Sequence, residues 1–255
     1  MPELPEVESF TRYFAKHALH QRVARVEVRD ARILGEVRAD VLAGRVEGRE
    51  FTSVQRHGKH LFADTGGGWV RLHFGMTGDL AYYREGDDPR FARVIFHFAD
   101  GAKLAFEDMR LFGAVDLLDD PDAYIAKQRL GRDPLDATFK LKDFRELIRK
   151  RRGAIKALLL SQELVAGLGN LYVDELLFQT GIHPKRLAEK LSDADVRTLF
   201  TTMRRILQGM IDGKPRRGWL FDRREEGERC WRCDGTLERA TIAGRTTYWC
   251  NKHQA

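Results

Sequence analysis

Apolar and polar positions change rhythm twice along the chain. Over residues 5–17, "PEVESFTRYFAKH", Val7, Phe10 and Phe14 recur at helical spacing, and Pro5 suits a first turn, which predicts a helix. From there to about residue 117 the pattern becomes strict alternation. "RVARVEVR", "FTSVQ", "KHLFAD", "GWVRLHF", "RVIFHFADGAKLAFED" and "GAVDLL" read as strands, with turns at 66–68 and at Asp100 and Gly101. Several short strands at this spacing predict an antiparallel β-sandwich or barrel. Residues 118–138 carry Pro, Gly and Asp and read as a connection. Helical spacing then returns. In "SDADVRTLFTTMRRILQGMIDG" a stripe of Val196, Leu199, Phe200, Met203, Ile206, Leu207 and Met210 is opened by Ser192 as N-cap and closed by Gly213. That stripe is core. The pattern becomes strand-like once more in "DGTLERATIAGRTTYWC", two strands turning near Ala243 and Gly244.

The expected architecture is therefore α+β and multidomain: an N-terminal antiparallel β-sandwich with an N-terminal helix, a C-terminal helical domain and a β-hairpin finger. The boundaries read as the sandwich over 1–120, a linker over 121–138, helices over 139–222 and the hairpin over 223–255. No apolar run approaches the roughly 20 residues a membrane span needs. The acidic, proline-broken start is not a secretory signal, so the expected address is cytoplasmic.

Charge sharpens this reading. Up to residue 150 there are 25 basic and 25 acidic residues; beyond it there are 19 and 13, which accounts for the whole net charge of +6. A basic half suits a polyanion partner, nucleic acid being the commonest, although a basic surface that serves only solubility has the same balance. The three cysteines are confined to the C-terminus and, with one histidine, form C-x2-C-x16-C-x2-H: Cys230, Cys233, Cys250 and His253. Two close pairs flanking a hairpin are what tetrahedral zinc requires. Four protein ligands leave no open position, so one structural zinc and no organic cofactor is the expectation. In "LVAGLGNLYVDELLF", Gly167, Gly169 and Asn170 make a tight turn into a helix. That turn suits a phosphate at the helix N-terminus or is an ordinary helix–helix turn.

"PELPEVE", the "LVAGLGNLYVDELLF" turn and the C-terminal finger, in that order, resemble the formamidopyrimidine-DNA glycosylase / endonuclease VIII family of base-excision repair enzymes. The likeness runs from residue 2 to Gln254. It implies a helix-two-turns-helix second domain, a monomer acting on damaged double-stranded DNA, and a bacterial, nucleoid-associated enzyme. It also implies that the start methionine is removed and that the Pro2 amine attacks the anomeric sugar carbon of a damaged nucleotide. The base is expelled, a Schiff base remains, and the strand is cut by elimination. An α-amino group titrates near ~8, so part of it is unprotonated at neutral pH, whereas a lysine near ~10.4 needs strong desolvation.

By the same resemblance Glu3 is the general acid and Glu6 a second carboxylate that orients the site. Without the proline, both would read as complements to a helix dipole. Glu8 has no family role and is expected in solvent. Lys59 matches a strand lysine near the scissile phosphate. Met76 fills the gap left by the extruded base, Arg110 meets the orphaned partner, and Phe112 is a wedge. Asn170 holds phosphate, joined by Arg152 and Lys156. Arg245, at the hairpin tip, bridges phosphates and assists the second elimination. The chain departs from the family's pattern at three places: His253 stands where most relatives have cysteine, "RFAR" at 90–93 replaces a histidine-containing stretch, and 213–230 is short. That last segment normally carries a long loop that folds over flipped 8-oxoguanine, so weak activity on 8-oxoguanine is expected. A lesion-sensing DNA-binding protein on the same scaffold is the alternative. The presence of Pro2, Glu3, Glu6 and Lys59 together favours the enzyme. An N-terminal-proline enzyme of small molecules would leave the finger and the basic half without a purpose.

Overall fold

The computed structural model describes residues 1–216 and 218–254. Contacts divide the chain into two compact units, Met1–Gln128 and Arg129–Ala255.

The first unit opens with helix α1 (Leu4–Ala18), which buries Leu4, Val7, Thr11, Phe14 and Ala18 along one stripe. Two four-stranded antiparallel sheets follow. One has the order β1 (Val23–Val28), β6 (Ala92–Phe98), β7 (Lys103–Asp108), β5 (Gly78–Tyr83); the other runs β2 (Ser53–His57), β3 (His60–Asp64), β4 (Trp69–His73), β8 (Ala114–Leu118). Inward residues of both sheets, among them Val26, Phe96, Phe106, Leu61, Leu72 and Val115, share one core with Phe14 and Phe51. This is the sandwich expected from alternation. Three elements were not foreseen. β5, "GDLAYY", presents half-buried tyrosines in place of a clean apolar face. Helix α2 (Ala39–Val46) is eight residues long with a glycine inside it, and packs on β1 through Leu42 and Val46. Helix α3 (Pro121–Lys127) lies inside the stretch read as a linker, capped by the Asp120 side chain at the amides of Asp122 and Ala123.

The second unit holds α4 (Leu141–Arg149), α5 (Ile155–Leu160), α6 (Asn170–Thr180) and α7 (Asp193–Ile211), then the hairpin of β9 (Leu237–Ile242) and β10 (Arg245–Cys250). Ser192 caps α7 by accepting from the Asp195 amide, and Gly213, at φ +67°, follows its end. The hairpin turns through Ala243 and Gly244, both left-handed at φ +52° and +69°, the geometry of a two-residue turn matched to strand twist. The hairpin packs on α6.

Candidate nucleic-acid interface and metal centre

Glu3 is the N-cap of α1 and only 2% exposed. Its amide donates to Glu6 Oε2 at 2.9 Å, and the two residues form a reciprocal capping box. The sequence thus places a buried carboxylate directly after Pro2, which is half-buried, at the positive end of a 15-residue helix. Glu8 is not simply solvated. It accepts from Arg56 Nε at 2.9 Å and from Arg12 Nε at 3.1 Å, tying α1 to β2.

Lys59 sits on the two-residue turn between β2 and β3, not within a strand; Gly58, at φ +57°, makes that turn possible. Behind it lies a polar layer that sequence reasoning missed. On one face of the second sheet, Arg71 donates to Asp116 and contacts His60 Nδ1 at 3.0 Å, and the His60 and His73 rings lie 4.9 Å apart. Burial, then the charges of Arg71 and Lys59, depress His73 to about 4; burial and the neighbouring cations also hold His60 well below its ordinary value. Both imidazoles are neutral at pH 7. A cavity of about 540 Å³ opens over Arg71, Asp116, Tyr124 and Lys127 and is lined by none of the predicted site residues.

Met76, Arg110 and Phe112 come together at two adjoining loops. Met76 is 41% exposed on the β4–β5 turn and Phe112 is 55% exposed on the β7–β8 loop. The Arg110 guanidinium lies 4.8 Å from the Phe112 ring centroid. Both are large apolar side chains held in water at loop tips.

In the second unit Gly169 is the N-cap of α6 and Asn170 its first residue. Asn170 Nδ2 donates to Thr246 O at 2.8 Å, so the turn and the finger meet there. Arg152 is exposed between α4 and α5, and Arg245 is exposed as the first residue of β10. Lys156 is different. It was expected at phosphate, yet it is wholly buried, with Nζ 2.5 Å from Asp174 Oδ1 and 2.6 Å from Thr247 Oγ1. Asp174 also accepts from Arg224 at 2.6 Å and from the Tyr248 amide at 3.3 Å. Burial works against both charges, lowering the lysine and raising the aspartate, while each holds the other ionised. Lys156 therefore joins α5, α6 and β10 and does not face solvent.

The ligand atoms of Cys230, Cys233, Cys250 and His253 all lie within 4.8 Å of one another. Cys230 Sγ to His253 Nδ1 is 3.5 Å, Cys233 Sγ to Cys250 Sγ 3.4 Å, and Cys233 Sγ to His253 Nδ1 3.8 Å. Tetrahedral zinc, with bonds of about 2.3 Å to sulfur and 2.0 Å to nitrogen, separates its ligands by about 3.5–3.8 Å. The four donors fit such an ion. His253 is oriented by its other nitrogen, Nε2, 3.0 Å from the Phe178 carbonyl, and burial favours its neutral ring. The amides of Arg232, Gly235 and Lys252 point at the three sulfurs at 3.3–3.4 Å. A Cβ at Gly235 would lie 2.9 Å from Cys250 Sγ, so only glycine fits there.

Residues 1–115 match the formamidopyrimidine-DNA glycosylase N-terminal domain, and residues 130–216 match the H2TH domain of the same enzymes. The chain belongs to the formamidopyrimidine-DNA glycosylase family. It is 34% identical to the formamidopyrimidine-DNA glycosylase of Heliobacterium modesticaldum over the full length of both chains. The Lactococcus lactis formamidopyrimidine-DNA glycosylase, solved non-covalently bound to DNA containing an abasic site, superposes with a TM-score of 0.89 at 30% identity, covering 99% of each chain. The same enzyme bound to DNA containing N7-benzyl-Fapy-dG gives 0.90 at 30% identity, again over 99% of each chain. Membership in this family covers both units.

Proposed function

We propose that this protein is a bifunctional DNA glycosylase and abasic-site lyase that excises oxidised or ring-opened bases from duplex DNA. The observation that carries the reading is the buried Glu3 carboxylate beside Pro2 at the start of α1, within a chain that matches glycosylases from end to end. Met1 is 54% exposed, open to removal, which frees the Pro2 secondary amine. That amine adds to C1′ of the damaged nucleotide. The base departs with its bonding electron pair and the proton the amine gives up, and Glu3 delivers a proton to the ring oxygen as the C1′–O4′ bond opens to the iminium. The resulting iminium acidifies the neighbouring C2′ proton, whose loss expels the 3′ phosphate. Lys59, mounted on its turn, accompanies that elimination; Glu6 fixes the Glu3 backbone through the capping bond.

Met76, Arg110 and Phe112 occupy the gap left by the extruded nucleotide, whose unstacking costs a few kcal/mol. Asn170, Arg152 and Arg245 take phosphates. A zinc ion in the Cys230, Cys233, Cys250 and His253 cluster serves structure, holding the hairpin that carries Arg245. The short 213–230 segment, of which Arg217 lies outside the described residues, provides little cover for a flipped 8-oxoguanine. Formamidopyrimidines, hydantoins and bare abasic sites opposite cytosine are therefore the preferred substrates.

The deciding experiment combines borohydride trapping with strand cleavage on duplexes carrying an abasic site, a formamidopyrimidine or no lesion. A covalent complex and a nick confined to the damaged duplexes are expected. Tight binding to the abasic duplex with neither product would identify a sensing protein on this scaffold instead.

A further inference from the structure

Asp108, the last residue of β7, is a fully buried carboxylate that the reaction above does not use. Its partners are on two different loops. Oδ1 accepts from Thr77 Oγ1 at 2.5 Å and from the Arg110 amide at 3.0 Å, while Oδ2 accepts from the Gly113 amide at 2.6 Å. Thr77 follows Met76 on the β4–β5 turn; Arg110 and Gly113 bracket Phe112 on the β7–β8 loop. The Arg110 amide also reaches Thr77 Oγ1 at 3.2 Å, closing a small ring between the loops.

The surroundings make this carboxylate hard to replace. Leu111 is held at φ +55°, a left-handed conformation that costs a branched side chain energy and persists only where neighbours impose it. Gly75, at φ +53°, lies so close to the other loop that a Cβ there would stand 2.3 Å from the Phe112 carbonyl carbon. Asp108 is itself anchored from outside the loops. Its amide donates to Phe91 O at 3.0 Å and its carbonyl accepts from Arg93 Nε at 2.7 Å. Arg93 belongs to the "RFAR" stretch, so that departure from the family's pattern has a place in this anchor.

We infer that Asp108 is the positioning residue that sets Met76, Arg110 and Phe112 as one rigid gap-filling unit. The inference rests on the reading that these three side chains enter DNA. A charge-assisted bond to a backbone amide is about twice as strong as a neutral one, and this carboxylate makes two of them across the strained turn. Without it the loop can relax Leu111 and carry Phe112 away from the β4–β5 turn.

The test is Asp108→Asn, which keeps the shape but turns an amide NH2 toward donors on one side. Single-turnover cleavage is compared on the same abasic site in a duplex opposite cytosine, in a duplex opposite adenine, and in single-stranded DNA, where no gap or partner exists. The variant should lose about tenfold on the cytosine duplex, the rate equivalent of one charge-assisted hydrogen bond. Its cytosine-over-adenine ratio should collapse toward one, and single-strand cleavage should stay within about twofold. Thr77→Val, which severs only one of the links, should fall between. Equal losses on duplex and single strand, or an intact cytosine preference, would overturn the inference. If the wild-type protein cleaved none of these DNAs, the proposed chemistry would fail separately. Fluorescence of 2-aminopurine placed opposite an uncleavable abasic analogue would still decide the matter: the wild type should perturb it far more than Asp108→Asn, and equal perturbation by the two would overturn the inference.

Discussion

Replacing Lys156 with alanine should destabilise the second unit without touching the proposed DNA contact surface. The side chain is fully buried and makes its bonds to Asp174 and Thr247 at 2.5 and 2.6 Å. Removing one partner of a buried ion pair strands the other and costs about 3–5 kcal/mol. Here Arg224 and the Tyr248 amide still reach Asp174 Oδ2, which places the loss near the lower end, about 3 kcal/mol. At roughly 3 °C per kcal/mol, the midpoint of thermal unfolding should fall by about 9 °C. The salt dependence of binding to an abasic duplex reads the alternative role directly. A lysine on a phosphate contributes about 0.9 to the slope of log K against log salt, so the alanine variant should keep the wild-type slope at a temperature where it is folded. A midpoint within about 2 °C of wild type together with a slope reduced by about one would mean that Lys156 reaches DNA, and the buried network would be wrong.

Three further outcomes follow from the same geometry. His253→Ala should release the metal and weaken DNA binding, because the hairpin would no longer hold Arg245, and His253→Cys should restore both; one zinc per chain surviving in the alanine variant with unchanged affinity would remove His253 from the ligand set. His73, at about 4 when folded against an ordinary value near 6.5, stays neutral while the unfolded chain takes up a proton. Stability should therefore fall as pH drops from about 6.5 to 4, by up to roughly 3 kcal/mol, then level off for this group, and His73→Gln should flatten that slope in urea unfolding series. On lesion panels, 8-oxoguanine opposite cytosine should be processed more slowly than a formamidopyrimidine, a hydantoin or an abasic site in the same context; equal single-turnover rates would mean that another segment caps the purine.

Features written in local pattern were legible in the sequence, and features depending on distant partners were not. The α1 stripe, the alternating strands, the Ser192 cap and the Ala243–Gly244 turn are each specified within a few residues. The metal cluster is legible because its four donors come in two short pairs. Lys156 misled because its neighbours Arg151 and Arg152 are basic and exposed, while its partner lies 18 residues away. The available signal was Asp174 and Glu175 embedded in "LYVDELLF", acidic residues inside an apolar run that need an internal cation or donor. Arg71 and Asp116 are 45 residues apart and meet only through the β4–β8 register, which alternation does not reveal. Asp108 was overlooked for a related reason: beside Met109 and Arg110 it reads as a loop acid, and its burial follows from where Thr77 and Gly113 return.

The claim that Pro2 is the nucleophile is tested most directly at the N-terminus itself. Protein with a free Pro2 amine, verified by mass, is mixed with abasic-site DNA and borohydride beside a form carrying one extra residue before Pro2. The extension converts the amine to an amide but leaves the Glu3–Glu6 capping bond and the finger in place. The free form should give a covalent adduct whose tryptic DNA-linked peptide begins at Pro2, and the extended form should give none while binding the same DNA. Equal trapping by the two forms, or an adduct on a lysine, would contradict the proposed chemistry.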